Sequence, residues 1–149
     1  SQDALATAEA MAGLLSRDAR TDRERLTADL IVRDAAAAIG LDGARFDLAG
    51  GACEIVCERR ATAQALEHLL REAAGCAEAG ARIQVRAQRR GARRVLSVAT
   101  GPTGSRGNAP AGSLGALLAR LLIEVQGAQI DIVRSPADGW TATVTFPNA

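Results

Sequence analysis

Lysine is missing from this sequence: all 18 basic residues are arginine. That excludes a P-loop, which needs its Gly-Lys-Ser/Thr to hold phosphates, and it excludes Schiff-base lysine chemistry. Histidine occurs once, as His68. The three cysteines, Cys53, Cys57 and Cys76, fit no usual finger spacing with it, so they read as reduced core thiols rather than metal ligands. Aromatics are nearly absent, with only Phe46, Trp140 and Phe146. Three rings, each better used in packing, give no stacking platform for bases. A formal net charge of +1 supplies no global field to attract nucleic acid or an anionic membrane. No apolar run approaches the ~18 residues of a membrane span. The opening SQDALATAEAMAG carries an acid and no basic n-region, so it is not read as a signal peptide, and the expected location is the cytoplasm.

What remains is an ordinary globular composition, 149 residues with 48% hydrophobic, enough for one domain with a real core. Leu5, Ala8, Met11, Ala12 and Leu15 predict a first helix over 1–19. The segment SRDARTDRERL is too charged for core and predicts a bend or exposed helical turn. Thr27 is a candidate cap for a second helix, Ala28 to Ile39, stopped by Gly40. Arg45–Leu48 and Cys53–Glu58 predict short strands joined by Ala49-Gly50-Gly51. Arg82–Gln88 and Val95–Ala99 alternate as strands around an arginine-rich turn. Gly101 to Gly112 is a loop. Ser113 caps a predicted helix running through Leu114, Leu117, Leu118, Leu121, Leu122 and Val125, and Gly127 stops it. Gln129–Val133 and Trp140–Phe146 are the last two predicted strands. Hairpins alternating with single helices predict an α+β, two-layer α/β sandwich: a mixed, mostly antiparallel sheet with helices on one face.

The stretch Ala61 to Ala79 organises the chain. Leu66, Leu69, Leu70 and Ala73 recur at i, i+3, i+4 and i+7 and make one apolar stripe. Gln64, His68, Arg71 and Glu72 lie on the other side, His68 and Glu72 one turn apart. This stretch resembles the N-box helix of histidine-kinase-type (GHKL) ATP-binding domains, whose pattern is roughly D-x-x-x-x-x-Q-x-L-x-N-L-L-x-N-A. Glu58 stands at its aspartate and Gln64 at its glutamine. His68 and Glu72 stand where the family places two polar pocket residues, the second an asparagine that helps hold the nucleotide's magnesium. Four further stretches carry the likeness. Ala99-Thr-Gly-Pro-Thr-Gly104 resembles the first glycine box, D-x-G-x-G. Ser113-Leu-Gly-Ala-Leu-Leu118 resembles the second, G-L-G-L. Arg120 to Gly127 resembles the end of the following helix, and Gly139 to Pro147 the closing strand. The likeness covers about residues 27–147. It implies a domain over 26–149, with 1–25 resembling the end of a dimerisation region and linker that would pair two chains.

The resemblance also implies a nucleotide site at His68, Glu72, Ala99, Thr100, Gly101, Gly104, Ser113 and Gly115, with Glu72 the one candidate magnesium ligand. The departures fall on that site. Ala99 or Thr100, depending on register, replaces the aspartate that accepts from the adenine amino group. That loss alone is worth ~1.5–3 kcal/mol, the range for hydrogen bonds to charged groups. Glu72 brings negative charge to the asparagine position, and Ser113 replaces a glycine that lets backbone approach phosphate. The expectation is therefore a degenerate ATPase-like domain, binding ATP and magnesium weakly or not at all. It would act as a protein-interaction module for a kinase or response regulator in a bacterial two-component pathway, with no nucleic-acid partner. Two alternatives stand beside it: a divergent but working catalytic domain of a sensor kinase, and a histidine-phosphotransferase-like protein.

Overall fold

The computed structural model describes residues 23–77, 81–101, 113–135 and 139–147. The helix expected over 1–19, most of the Gly101–Gly112 loop including Gly104, and the centre of the Ser135–Gly139 turn lie outside the described residues.

The first described element corrects the sequence reading. Overlapping the end of the charged stretch expected to form a bend or exposed helical turn, Arg23–Thr27 is a strand, β1, paired antiparallel with β3, Glu54–Glu58. Only Leu26 of β1 is buried. Its charged residues are exposed, and beside the backbone pairing Arg23 Nη2 donates to the Gln126 carbonyl at 2.8 Å and Arg25 pairs with Glu54 at 3.3 Å. Thr27 then ends the strand and caps α1, Ala28–Ala38. Its hydroxyl accepts from the Leu30 N–H at 3.3 Å, and Asp29 places a carboxylate in the positive first turn. Ile31, Val32, Ala35 and Ala36 form the buried stripe, and Gly40 at φ 70 leaves the helix.

A second correction concerns β2, Phe46–Ala49, which the sequence places next to β3 through Ala49-Gly50-Gly51. The two do not pair. The Asp29 and Ala28 N–H groups donate to the carbonyls of Gly51 and Cys53 at 2.9 and 2.8 Å, so the segment after β2 is tied to the start of α1. β3 is thereby directed to β1. β2 instead pairs in parallel with β4, Ile83–Arg90. Gly50 has φ 76, and a side chain there would collide with the Ala87 carbonyl of β4. Glycine is required at that close approach.

α2, Arg59–Cys76, begins two residues before the expected start because the Glu58 carboxylate caps it, accepting from the Arg60 and Ala61 N–H groups. Its predicted stripe of Leu66, Leu69, Leu70 and Ala73 is buried, and the structure adds Ala61 and Ala65 to it. α2 packs against both α1 and α3, Leu114–Glu124. β4 and β5, Arg93–Ala99, form a hairpin closed by only Gly91-Ala92, with Gly91 at φ 59. β6, Gln129–Ser135, and β7, Gly139–Phe146, complete a five-stranded sheet of order β2-β4-β5-β7-β6, antiparallel except at β2–β4. Ile83, Val85, Leu96, Val98, Val144 and Phe146 face the helices and make one core with the stripe of α2. The architecture is the expected α+β sandwich. Cys57 and Cys76 are buried free thiols, and burial raises the Cys57 pKa above its ordinary value.

Candidate functional site

α2 presents its second, polar face between the start of α3 and the end of β5. Sheet alternation decides which of Ala99 and Thr100 faces that space. Leu96 and Val98 point to the helices, so Thr100 lies on the same side and Ala99 on the outer face. Thr100 is 4% exposed, and its polar atoms are already engaged. Its hydroxyl accepts from the Trp140 N–H at 3.1 Å and reaches the Trp140 carbonyl at 3.5 Å. Its own N–H donates to that carbonyl at 2.9 Å. Thr100 therefore pins the end of β5 to the start of β7. Gly139, at φ 83, packs beneath it. A side-chain carbon at 139 would stand 2.6 Å from the Thr100 carbonyl oxygen and would also strike that of Gly101.

Glu72 and Ser113 are 41 residues apart in the chain and bonded in the fold: the Ser113 hydroxyl donates to Glu72 Oε1 at 2.9 Å. The same hydroxyl accepts from the Ala116 N–H at 3.1 Å, capping α3. A side chain at Gly115 would meet Glu72 Oε1 at 2.8 Å, so glycine there leaves room for the carboxylate. An anion thus lies against the first turn of α3, where unpaired N–H groups and the helix dipole favour negative charge. That anion is the protein's own. Among the described residues no hydrogen bond or ion pair joins His68 to Glu72, although they are one turn apart. His68 is half-buried. Desolvation first, then the charge of Arg71, hold its pKa below 6.5, while Glu67 and Glu72 pull the other way.

The structure thus brings together Glu72, Ser113 and Gly115, with Thr100 and Gly101 on the neighbouring strand end. It sends Ala99 to the opposite face of the sheet. Gly104 lies outside the described residues, as do most of the residues on which dimerisation through 1–25 or a phosphotransferase-like hairpin would rest. Gln64 lines a separate cavity of about 710 Å³ at the start of α2, together with Arg23, Glu24, Arg59, Arg60 and Glu67. That cavity contains none of Thr100, Ser113 or Gly115, so hydrogen bonding rather than concavity places the site. Among the described residues no cluster of three or more His, Cys, Asp or Glu side chains is placed to hold a metal ion, and no helix is long and apolar enough to cross a membrane.

Sequence reasoning did not find Gln126, which is 4% exposed and joins three elements. Its side-chain oxygen accepts from the Glu58 N–H at 3.0 Å, and its amide donates to Thr62 Oγ1 at 3.0 Å and to the Leu122 carbonyl at 3.2 Å. A lone glutamine four residues past the last leucine of the stripe carries no signal of burial. Nor did it find the role of Gly139, which looks like an ordinary turn glycine until Thr100 and Gly101 are seen above it.

This arrangement of sheet, long central helix and capped second helix is the fold of histidine-kinase ATP-binding domains. No protein-family model matches the sequence, and no curated protein matches it. Solved structures do. The Acinetobacter baumannii histidine kinase AdeS is 18% identical over 98% of this chain and 76% of its own, with a TM-score of 0.72. A histidine kinase from Burkholderia phymatum STM815 is 18% identical over 97% of this chain and 76% of its own, TM-score 0.64. The mycobacterial sensor histidine kinase MprB is 12% identical over 85% of this chain and 97% of its own, TM-score 0.64. At these identities the likeness establishes the fold.

Proposed function

We propose that this domain is a degenerate histidine-kinase-type ATPase fold that works in two-component signalling by protein contact, with weak or lost ATP binding. One observation carries the reading: the Glu72 carboxylate is held by Ser113 at the start of α3. Two positions that depart from the family pattern are partners of one another. The magnesium-triphosphate group does not fit the residues present. A phosphate approaching the first turn of α3 meets a carboxylate already there, and displacing it leaves the Ser113 hydroxyl without its acceptor. On the adenine side, the Thr100 hydroxyl is engaged by the Trp140 backbone. It brings no charge, and hydrogen bonds to neutral groups are about half as strong as those to ionised ones.

Calorimetric titration of the chain with ATP and magnesium tests this. The expected result is no binding heat until millimolar nucleotide. Saturable micromolar binding would overturn the proposal and support the alternative, a working catalytic domain in which Glu72 swings to the metal.

A further inference from the structure

The segment Arg82 to Arg94 contains six arginines and no acid. Arg82 is paired with Asp47 at 2.6 Å. Among the described residues none of the other five, Arg86, Arg89, Arg90, Arg93 and Arg94, has a carboxylate within ion-pair distance. They are also set against one another. In the β4–β5 register Arg90 stands opposite Arg93, and Arg89 opposite Arg94. Like charges directly opposite across an antiparallel pair destabilise it. The hairpin does not need them to form, because Gly91 sets the turn and Ile83, Val85, Leu96 and Val98 set the register. Their contacts are with neutral groups: Arg89 Nε with the Gly91 carbonyl at 3.3 Å, and Arg94 Nη1 with the Arg93 carbonyl at 3.4 Å. Neither neutralises charge.

Arg86, Arg90 and Arg93 share the outer face of the sheet, away from the helices. With Gln84, Gln88 and Ser97, Arg86 and Arg90 line a shallow groove of about 450 Å³. Ala99, Thr141 and Thr143, which also line the groove, are small, so no bulky side chain fills it. We infer that this face docks an acidic protein segment, whose carboxylates meet Arg86, Arg90 and Arg93. Charge complementarity argues for the occupant, since carboxylates brought to this patch relieve the repulsion between its arginines. The groove has no ring on which a base could stack, because Trp140 and Phe146 are buried on the other side. It has no large exposed apolar side chain among its lining residues to enter a membrane interface, Val95 being 6% exposed. The surface lies across the sheet from Thr100 and Glu72, so the inference stands whether or not nucleotide binds.

The test is fluorescence anisotropy with a labelled polyglutamate peptide, compared with a single-stranded oligonucleotide of equal charge and with phosphatidylserine-containing vesicles. The peptide should bind, more weakly as salt rises. Arg90→Glu with Arg93→Glu should weaken it about tenfold, the scale of reversing two exposed charges. Arg25→Glu with Arg33→Glu, which changes net charge equally on another surface, should leave it within about twofold. Arg86→Gln with Arg90→Gln is the milder variant should the double reversal fail to fold, and should also weaken the peptide. Arg90→Glu alone turns a repelling cross-strand pair into an attracting one, so its melting temperature should hold or rise. No peptide binding, tighter binding of the oligonucleotide or vesicles, or equal loss in both charge-matched variants would overturn the inference.

Discussion

The bond between Glu72 and Ser113 predicts a measurable coupling. Replacing Glu72 by alanine removes a charged acceptor at 2.9 Å. Bonds to charged groups are worth ~1.5–3 kcal/mol, and partial exposure of both residues puts this one near the bottom of that range, about 1.5 kcal/mol. Replacing Ser113 by alanine removes the same bond and also the cap on Ala116 N–H, itself worth about 1 kcal/mol. Independent effects would add to about 4 kcal/mol, but the shared bond is counted twice, so the double variant should lose only about 2.5 kcal/mol. Urea unfolding followed by tryptophan fluorescence suits the measurement, since Trp140 is the one tryptophan and is 2% exposed. Additivity to within ~0.3–0.5 kcal/mol, the behaviour of uncoupled sites, would mean the bond does not hold the helices together in solution. A second readout fixes the meaning of the bond. Glu72→Asn should cost stability yet improve ATP affinity, because it removes negative charge from the helix start. If stability and affinity fall together, Glu72 is a ligand and not an obstruction.

Two further outcomes follow from other residues. Gly139→Ala should destabilise strongly, by ~2 kcal/mol or more, because it combines a positive φ with a collision against two backbone carbonyls that cannot rotate away; a melting temperature within a degree or so of the parent's would refute that packing. His68 gives a pH dependence. Its folded pKa lies below the ordinary 6.5, so between the two values the unfolded chain binds more protons. Stability should be full above 6.5 and fall as pH drops through that window. His68→Gln should remove that part of the slope in urea midpoints, and an unchanged slope would sink the assignment.

Much of the fold was legible because its signals are local. The stripe of α2, the Thr27 and Ser113 caps and the Gly91 turn each lie within a few residues of what they specify. β1 was not legible. Of its five residues only Leu26 is buried, so no alternation marks it, and its extension depends on β3 some thirty residues on. β2 reads as half of a hairpin because the sequence shows two strands and a glycine pair. The bonds from Ala28 and Asp29 that pull them apart come from a helix on the other side. In the site, local reasoning found the unusual residues but not their geometry. Ala99 and Thr100 could not be separated until the strand's inward side was known.

His68 and Glu72 looked like a pair because a helix places them one turn apart. The real competition was between that spacing and a partner on another helix. In the pair, a half-desolvated imidazole beside Arg71 stays largely neutral at neutral pH, so it offers Glu72 little charge. Ser113 offers a donor whose oxygen is already fixed by Ala116 N–H, so little further freedom is lost in making the bond. α3 adds the positive end of its dipole, worth ~0.3–1 kcal/mol to a nearby carboxylate. The carboxylate therefore goes to α3, and what favours it there is what would favour a phosphate. On the proposed function, loss of nucleotide binding and gain of the helix-to-helix tie would be one event, and a variant that strengthens nucleotide binding should weaken the tie.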